Sequence, residues 1–79
     1  MKKKEWRIEH YTYVVPHSMD KRRWHYWKDN SHLPFKVNGI MTLETGVKTL
    51  YRLHEHLNRA LTLRLHNERT GESIPADIL

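Results

Sequence analysis

The densest chemistry in the chain lies in residues 21–28, KRRWHYWK: Lys21, Arg22, Arg23, Trp24, His25, Tyr26, Trp27 and Lys28. Guanidinium and ammonium groups bind phosphates or carboxylates. Indole and phenol rings stack on unpaired bases or anchor in the pockets of a protein partner. The cluster therefore admits two functions, a protein-binding surface or a grip on single-stranded nucleic acid. No glycine-rich phosphate loop, zinc-finger spacing or ribonucleoprotein-type aromatic motif accompanies it, which favours the protein partner. A third reading is structural. A chain with a single phenylalanine must build part of its core from tryptophan, so Trp24 and Tyr26 could be core and residues 21–23 a charged turn.

The histidines do not have the spacing of a metal site. His54 and His56 are two apart on a helical pattern, about 200° around the axis, so they cannot chelate together. The sequence HEH also lacks the paired histidines, four apart, of a zinc-protease helix. His54 borders the apolar stripe and is expected to be a half-buried structural residue. His17, His25 and His32 sit in or beside loops and could converge with Asp20 or Asp29. Histidines gathered in space would make stability pH-dependent near neutrality. Ser18, Ser31 and Ser73 have histidines or acids within a few residues, but sequence proximity of such common residues does not make a triad. No paired carboxylates stand out. The expectation is a protein without catalytic residues, metal or cofactor, and no small-molecule substrate is implied.

The charge balance directs attention to the same part of the chain. The formal charge of +5 arises before residue 29, where Lys2, Lys3, Lys4, Arg7, Lys21, Arg22, Arg23 and Lys28 face only Glu5, Glu9 and Asp20. The remainder is balanced. All three tryptophans lie in this first third. A concentrated positive field attracts acidic proteins or nucleic acid, and equally keeps a small protein in solution. The absence of cysteine removes disulfides and thiolate metal sites as sources of stability and fits a reducing compartment. No stretch approaches the roughly 20 apolar residues of a membrane span, and MKKKEW has no apolar segment behind it, so neither membrane nor leader is expected. The expected location is the cytoplasm. Self-association would help a domain of this size, near the lower limit for one apolar core.

These residues need elements to hold them. Residues 5–15, EWRIEHYTYVV, alternate as a strand does, with Trp6, Ile8, His10, Thr12 and Val14 on one face and Arg7, Glu9, Tyr11, Tyr13 and Val15 on the other. Pro16 ends the pattern. A second strand over 23–28 would pair with it as an antiparallel hairpin, Trp24 and Tyr26 on one face, His25 and Trp27 on the other. Phe35 and Val37 could form a short strand or an extended covering segment, and Asn38-Gly39 reads as a turn that delivers the chain to a helix. Thr42 is the expected N-cap, with Glu44 in the first turn. Leu43, Val47, Leu50, Tyr51, Leu57 and Leu61, widened by Leu53 and Ala60, then recur at helical spacing. Gly46 costs such a helix about 1 kcal/mol against alanine, unless it permits close contact with a sheet. Lys48, Arg52, His56 and Arg59 mark the outer face, a second candidate interaction surface.

From Leu61 the period changes to two: Leu61, Leu63 and Leu65 alternate with Thr62, Arg64 and His66. Gly71 supplies the turn of a final hairpin, and Pro75 confines residues 73–79 to an edge strand. The expected architecture is a single α+β domain over 1–79, with 1–4 a disordered basic start. A small antiparallel sheet of three to five strands packs on one amphipathic helix, in the order β-β-(β)-α-β-β. The face of the sheet away from the helix would carry Arg7, Tyr11, Tyr13, His25 and Trp27. The functional expectation is a non-enzymatic interaction module, regulatory or inhibitory, that binds a protein or itself through Tyr11, Tyr13, Lys21, Arg22, Arg23, Trp24, His25, Trp27 and Lys28. Nucleic-acid binding through the same surface is the alternative, and a purely structural, self-associating domain the third.

Overall fold

The structure, a computed structural model, describes residues 3–13, 21–28 and 30–79. Four strands, β1 (Trp6–Tyr13), β2 (Arg22–Tyr26), β3 (Leu63–Asn67) and β4 (Ser73–Pro75), form one antiparallel sheet in the order β2-β1-β3-β4. One helix, α1 (Leu43–His56), lies between β2 and β3 in the chain and packs on β1 and β3. The chain is thus the small α+β domain that its periodicities predict. Among the described residues no helix is long and apolar enough to cross a membrane. The expected strand residues Val14 and Val15, the stop at Pro16, the connection through His17, Ser18 and Asp20, and the turn residue Asp29 lie outside the described residues.

β1 is the hub. Its even-numbered residues bond on one side to Met41 and the β2 row, as in Met41 N–H to Trp6 O at 2.8 Å and Trp27 N–H to Ile8 O at 2.9 Å. Its odd-numbered residues bond on the other side to β3, as in Tyr11 N–H to Thr62 O at 3.0 Å. The β2 row is therefore shared: β2 covers the later half of β1, and the bridge from Met41 covers Trp6. Between them, residues 30–40 make an excursion that buries Val37 in the core. Of the two forms expected of Phe35 and Val37, the structure has the covering segment and not the strand. Asn30 Oδ1 accepts from the backbone of Val37 at 2.5 Å and holds the loop folded, with Val37 fully buried beneath it.

The helix side of the sheet presents Trp6, Ile8, Leu63 and Leu65, which close on Leu50 and Leu53 of α1, with Met41, Val37 and Ala76 completing the core. Thr42 caps the helix as expected, its Oγ1 accepting from Thr45 N–H at 3.2 Å. The buried stripe, however, is Gly46, Thr49, Leu50 and Leu53, rotated from the predicted one. Leu43 is 43% exposed and Tyr51 52%, and Leu61 lies beyond the helix. Gly46 explains the rotation. A Cβ there would sit 2.7 Å from Leu65 Cδ1, so the side of the helix without a side chain approaches the sheet most closely.

The helix ends in two left-handed residues, Asn58 (φ 53°) and Arg59 (φ 57°), and the Arg59 N–H closes the turn onto His54 O at 2.8 Å. Gly71 takes φ 81° in the β3–β4 turn, as predicted. Asn67, almost wholly buried, organises that turn by accepting from Arg69 and Thr70 N–H at 2.8 and 3.0 Å. β4 is the edge strand expected of a segment containing Pro75, and Ala76–Ile78 forms a 3-10 turn that the sequence pattern did not reveal.

Candidate interaction surface

Register decides which side chains share a face. β1 and β2 pair Tyr11 with Trp24, His10 with His25, Tyr13 with Arg22 and Glu9 with Tyr26, and cross-strand partners in a sheet project to the same side. The face away from the helix thus carries Arg7, Glu9, Tyr11 and Tyr13 from β1, Arg22, Trp24 and Tyr26 from β2, and Arg64 and His66 from β3. Trp24 and Tyr26 belong here. His25 and Trp27, expected on this face, lie on the helix side instead. The residues of β2 alternate as predicted, but the parity that matches them to β1 depends on the hairpin register, which composition does not disclose.

On the open face cations and rings form a continuous layer. Arg22 lies over the Tyr13 ring at 4.8 Å and donates to its hydroxyl at 2.9 Å. Tyr11 and Trp24 meet with centroids 5.2 Å apart. Arg64 covers Trp24 at 4.2 Å, and Arg7 lies 5.4 Å from the Tyr26 ring. At the centre sits Glu9, a carboxylate only 2% exposed. Arg64 grips one of its oxygens through Nε at 2.8 Å and Nη2 at 2.7 Å, and Arg7 the other through Nε at 2.9 Å and Nη2 at 2.8 Å. Such two-pronged bonding fixes the guanidinium planes. Burial raises the Glu9 carboxyl pKa, but the hydrogen bonds and charges of Arg64 and Arg7 outweigh it and hold the group below its ordinary value. Arg7 also donates to Glu68 at 2.6 Å.

The arrangement is rigid, and its charge is largely spoken for. Arg7 and Arg64 are committed to acids, and their planes occupy aromatic faces on which a base would otherwise stack. Lys21, Arg22, Arg23 and Lys28 remain exposed along β2. Arg23 pairs with Thr12 and so belongs to the helix side of the sheet. Tyr11 and Tyr13 are each 41% exposed.

Behind this layer, on the helix side, His10 meets the Trp27 ring edge-on at 5.0 Å and the His25 ring at 6.1 Å. Burial, with His25 as a second cause, pushes the His10 pKa below its ordinary value. His25 Nε2 is buried without a hydrogen-bond partner among the described residues. Trp27 packs against the core with Leu33 and Phe35.

The outer face of α1 is a set of separate local contacts. Lys48 reaches Glu44 at 3.8 Å, Arg59 pairs with Glu55 at 2.7 Å, and Arg52 and His56 both address Phe35, at 4.3 and 6.0 Å. The described residues contain no group of three metal-ligating side chains; His17, Asp20 and Asp29 fall outside them. Glu9, Arg64 and His66 of the open face escaped the sequence analysis as site residues. Arg64 stands out only as a polar residue between Leu63 and Leu65, and only pairing across β1 brings it over Trp24.

Comparison with known protein families, curated proteins and solved structures finds no match to this chain.

Proposed function

We propose that the protein is a non-enzymatic interaction module, regulatory or inhibitory in role, that binds a protein partner through the open face of its sheet. The supporting observation is the layer built from Tyr11, Tyr13, Arg22, Trp24, Tyr26 and Arg64. It holds the residue types that dominate binding energy at protein interfaces, on a rigid sheet, with no element across it among the described residues. Preorganisation of this kind lowers the entropy lost on binding. The engagement of Arg7 and Arg64 with Glu9 favours protein over nucleic acid, because these cations and the ring faces they cover are withdrawn from phosphates and bases.

The decisive experiment compares Trp24→Ala with wild type, after circular dichroism has shown the fold intact. Partner capture by cross-linking falls at least tenfold in the variant. In parallel, fluorescence anisotropy with a short single-stranded oligonucleotide shows only weak, salt-labile binding. Tight oligonucleotide binding, abolished by changing Lys21, Arg22 and Arg23 together, would replace this proposal with nucleic-acid recognition. A variant that captures partners as wild type does would leave the face a purely structural layer.

A further inference from the structure

Among the described residues β2 is the terminal strand of the sheet. Because the Trp27 N–H bonds to Ile8 O and peptide groups alternate along a strand, those of Arg23 and His25 also point toward β1. Those of Arg22, Trp24 and Tyr26 point outward. None of these outward N–H and C=O groups has a partner among the described residues. The loop that leaves β2 reaches the helix, where Phe35 meets Arg52 and His56, and returns past the end of β2, where the Gly39 N–H donates to the Tyr26 hydroxyl rather than to the strand's peptide groups. Neither a proline nor a bulge interrupts β2, and its only protection is its shortness and its cations, which an acidic strand would neutralise.

We propose that the partner adds to this edge as an extended, acidic strand. The inference rests on the protein-binding reading and specifies the partner. The residues with free peptide groups, Arg22, Trp24 and Tyr26, are the same residues whose side chains form the open face. A strand paired to them sets every second side chain of its own beside Arg22 and Trp24. Main-chain pairing supplies general affinity, and the aromatic–guanidinium layer reads the alternate positions. The required sign comes from Arg22 and Arg23 within β2, which contains no acid, and from Lys21 and Lys28 beside it, an excess that Asp20 and Asp29 in the flanking sequence only halve. The same charges disfavour a second copy as the occupant, since pairing β2 with itself would gather the arginines of two strands along one seam with no acid within either strand.

The test uses the full chain, 15N-labelled, and a capped synthetic peptide of alternating glutamate and valine. Saturating peptide slows hydrogen exchange at the Trp24 and Tyr26 amides at least tenfold. Peptide N-methylated along one edge binds at least tenfold more weakly, and peptide methylated along the other edge binds as the parent does. Arg22→Glu with Arg23→Glu reverses the preference toward a lysine–valine peptide. Equal binding of both methylated peptides, or no binding of the parent, overturns the edge proposal. Loss of partner capture in Trp24→Ala, measured separately, shows whether the open face still functions without it.

Discussion

At the scale of the residue, Glu9 is the most consequential side chain of the open face. A buried carboxylate is tolerated only when its lone pairs are filled by well-placed donors, and Arg7 and Arg64 fill them from two different strands. Glu9→Gln keeps the shape but removes the charge and sets an NH2 donor against one of the two guanidiniums, although Arg7 keeps Glu68. The expected cost is about 2 kcal/mol, read as a lower urea midpoint. Loss of the guanidinium clamp should also loosen Trp24, visible as red-shifted, more readily quenched tryptophan emission. An unchanged midpoint would mean that the clamp orders the face without stabilising the fold. Little of this was legible beforehand. Glu9 sits in the polar register of a strand that reads clearly as a strand, and alternation alone assigns such a residue to solvent. Only the β1–β3 register reveals that two arginines converge on it.

At the scale of the element, α1 shows what periodicity can and cannot specify. The existence of the helix, its cap at Thr42 and its place before a strand follow from the pattern of residues 42–67. The direction in which it faces does not follow, because Leu43, Val47 and Tyr51 compete with Leu50 and Leu53 for the core, and hydrophobicity alone does not rank them. Gly46 decides the matter through the space it leaves for Leu65. Gly46→Ala should gain about 1 kcal/mol of helix propensity and lose more to overpacking, which typically costs about 1–3 kcal/mol. The net expectation is destabilisation by about 1 kcal/mol, measured by thermal melting. Combined with Leu65→Val, which removes the crowded methyl, the loss should be less than additive. A stabilised Gly46→Ala would mean that the helix shifts outward without cost.

The pH response belongs to the whole molecule, because the groups that set it lie on opposite sides of one sheet. His10 has a lowered pKa, so its folded form binds a proton less readily than its unfolded form. Its contribution is complete above the ordinary histidine value of 6.5 and is lost as pH falls through the lowered one. Glu9 also has a lowered pKa. Its contribution is present above the ordinary value of 4.5 and vanishes as pH falls further. Melting temperature should therefore decline as pH falls below the ordinary histidine value of 6.5, and decline again below the ordinary carboxyl value of 4.5. His10→Gln should flatten the first decline and leave the second. A melting temperature that moves no more than a degree between pH 5.5 and 8 would refute the first. The overall architecture was largely readable from periodicity and turn residues. The gathering of His10 and His25 on the helix side was not, because it depends on the same β1–β2 register that sorts the open face.

The sharing of one sheet row between β2 and Met41 has a consequence for how the chain is made. β1 emerges from the ribosome before every segment that pairs with it, and its β3 partner follows only after the helix. A nascent chain that has reached Met41 can close the β2 row against β1 but has nothing to cover Trp6 and Ile8. Leu50 and Leu53 of the helix follow, and the β3 residues Leu63 and Leu65 complete the cover only later; folding that depends on such distant contacts is slow. Until then the growing polypeptide displays a half-finished apolar strand, the kind of segment that a trigger-type holdase at the tunnel exit would shield.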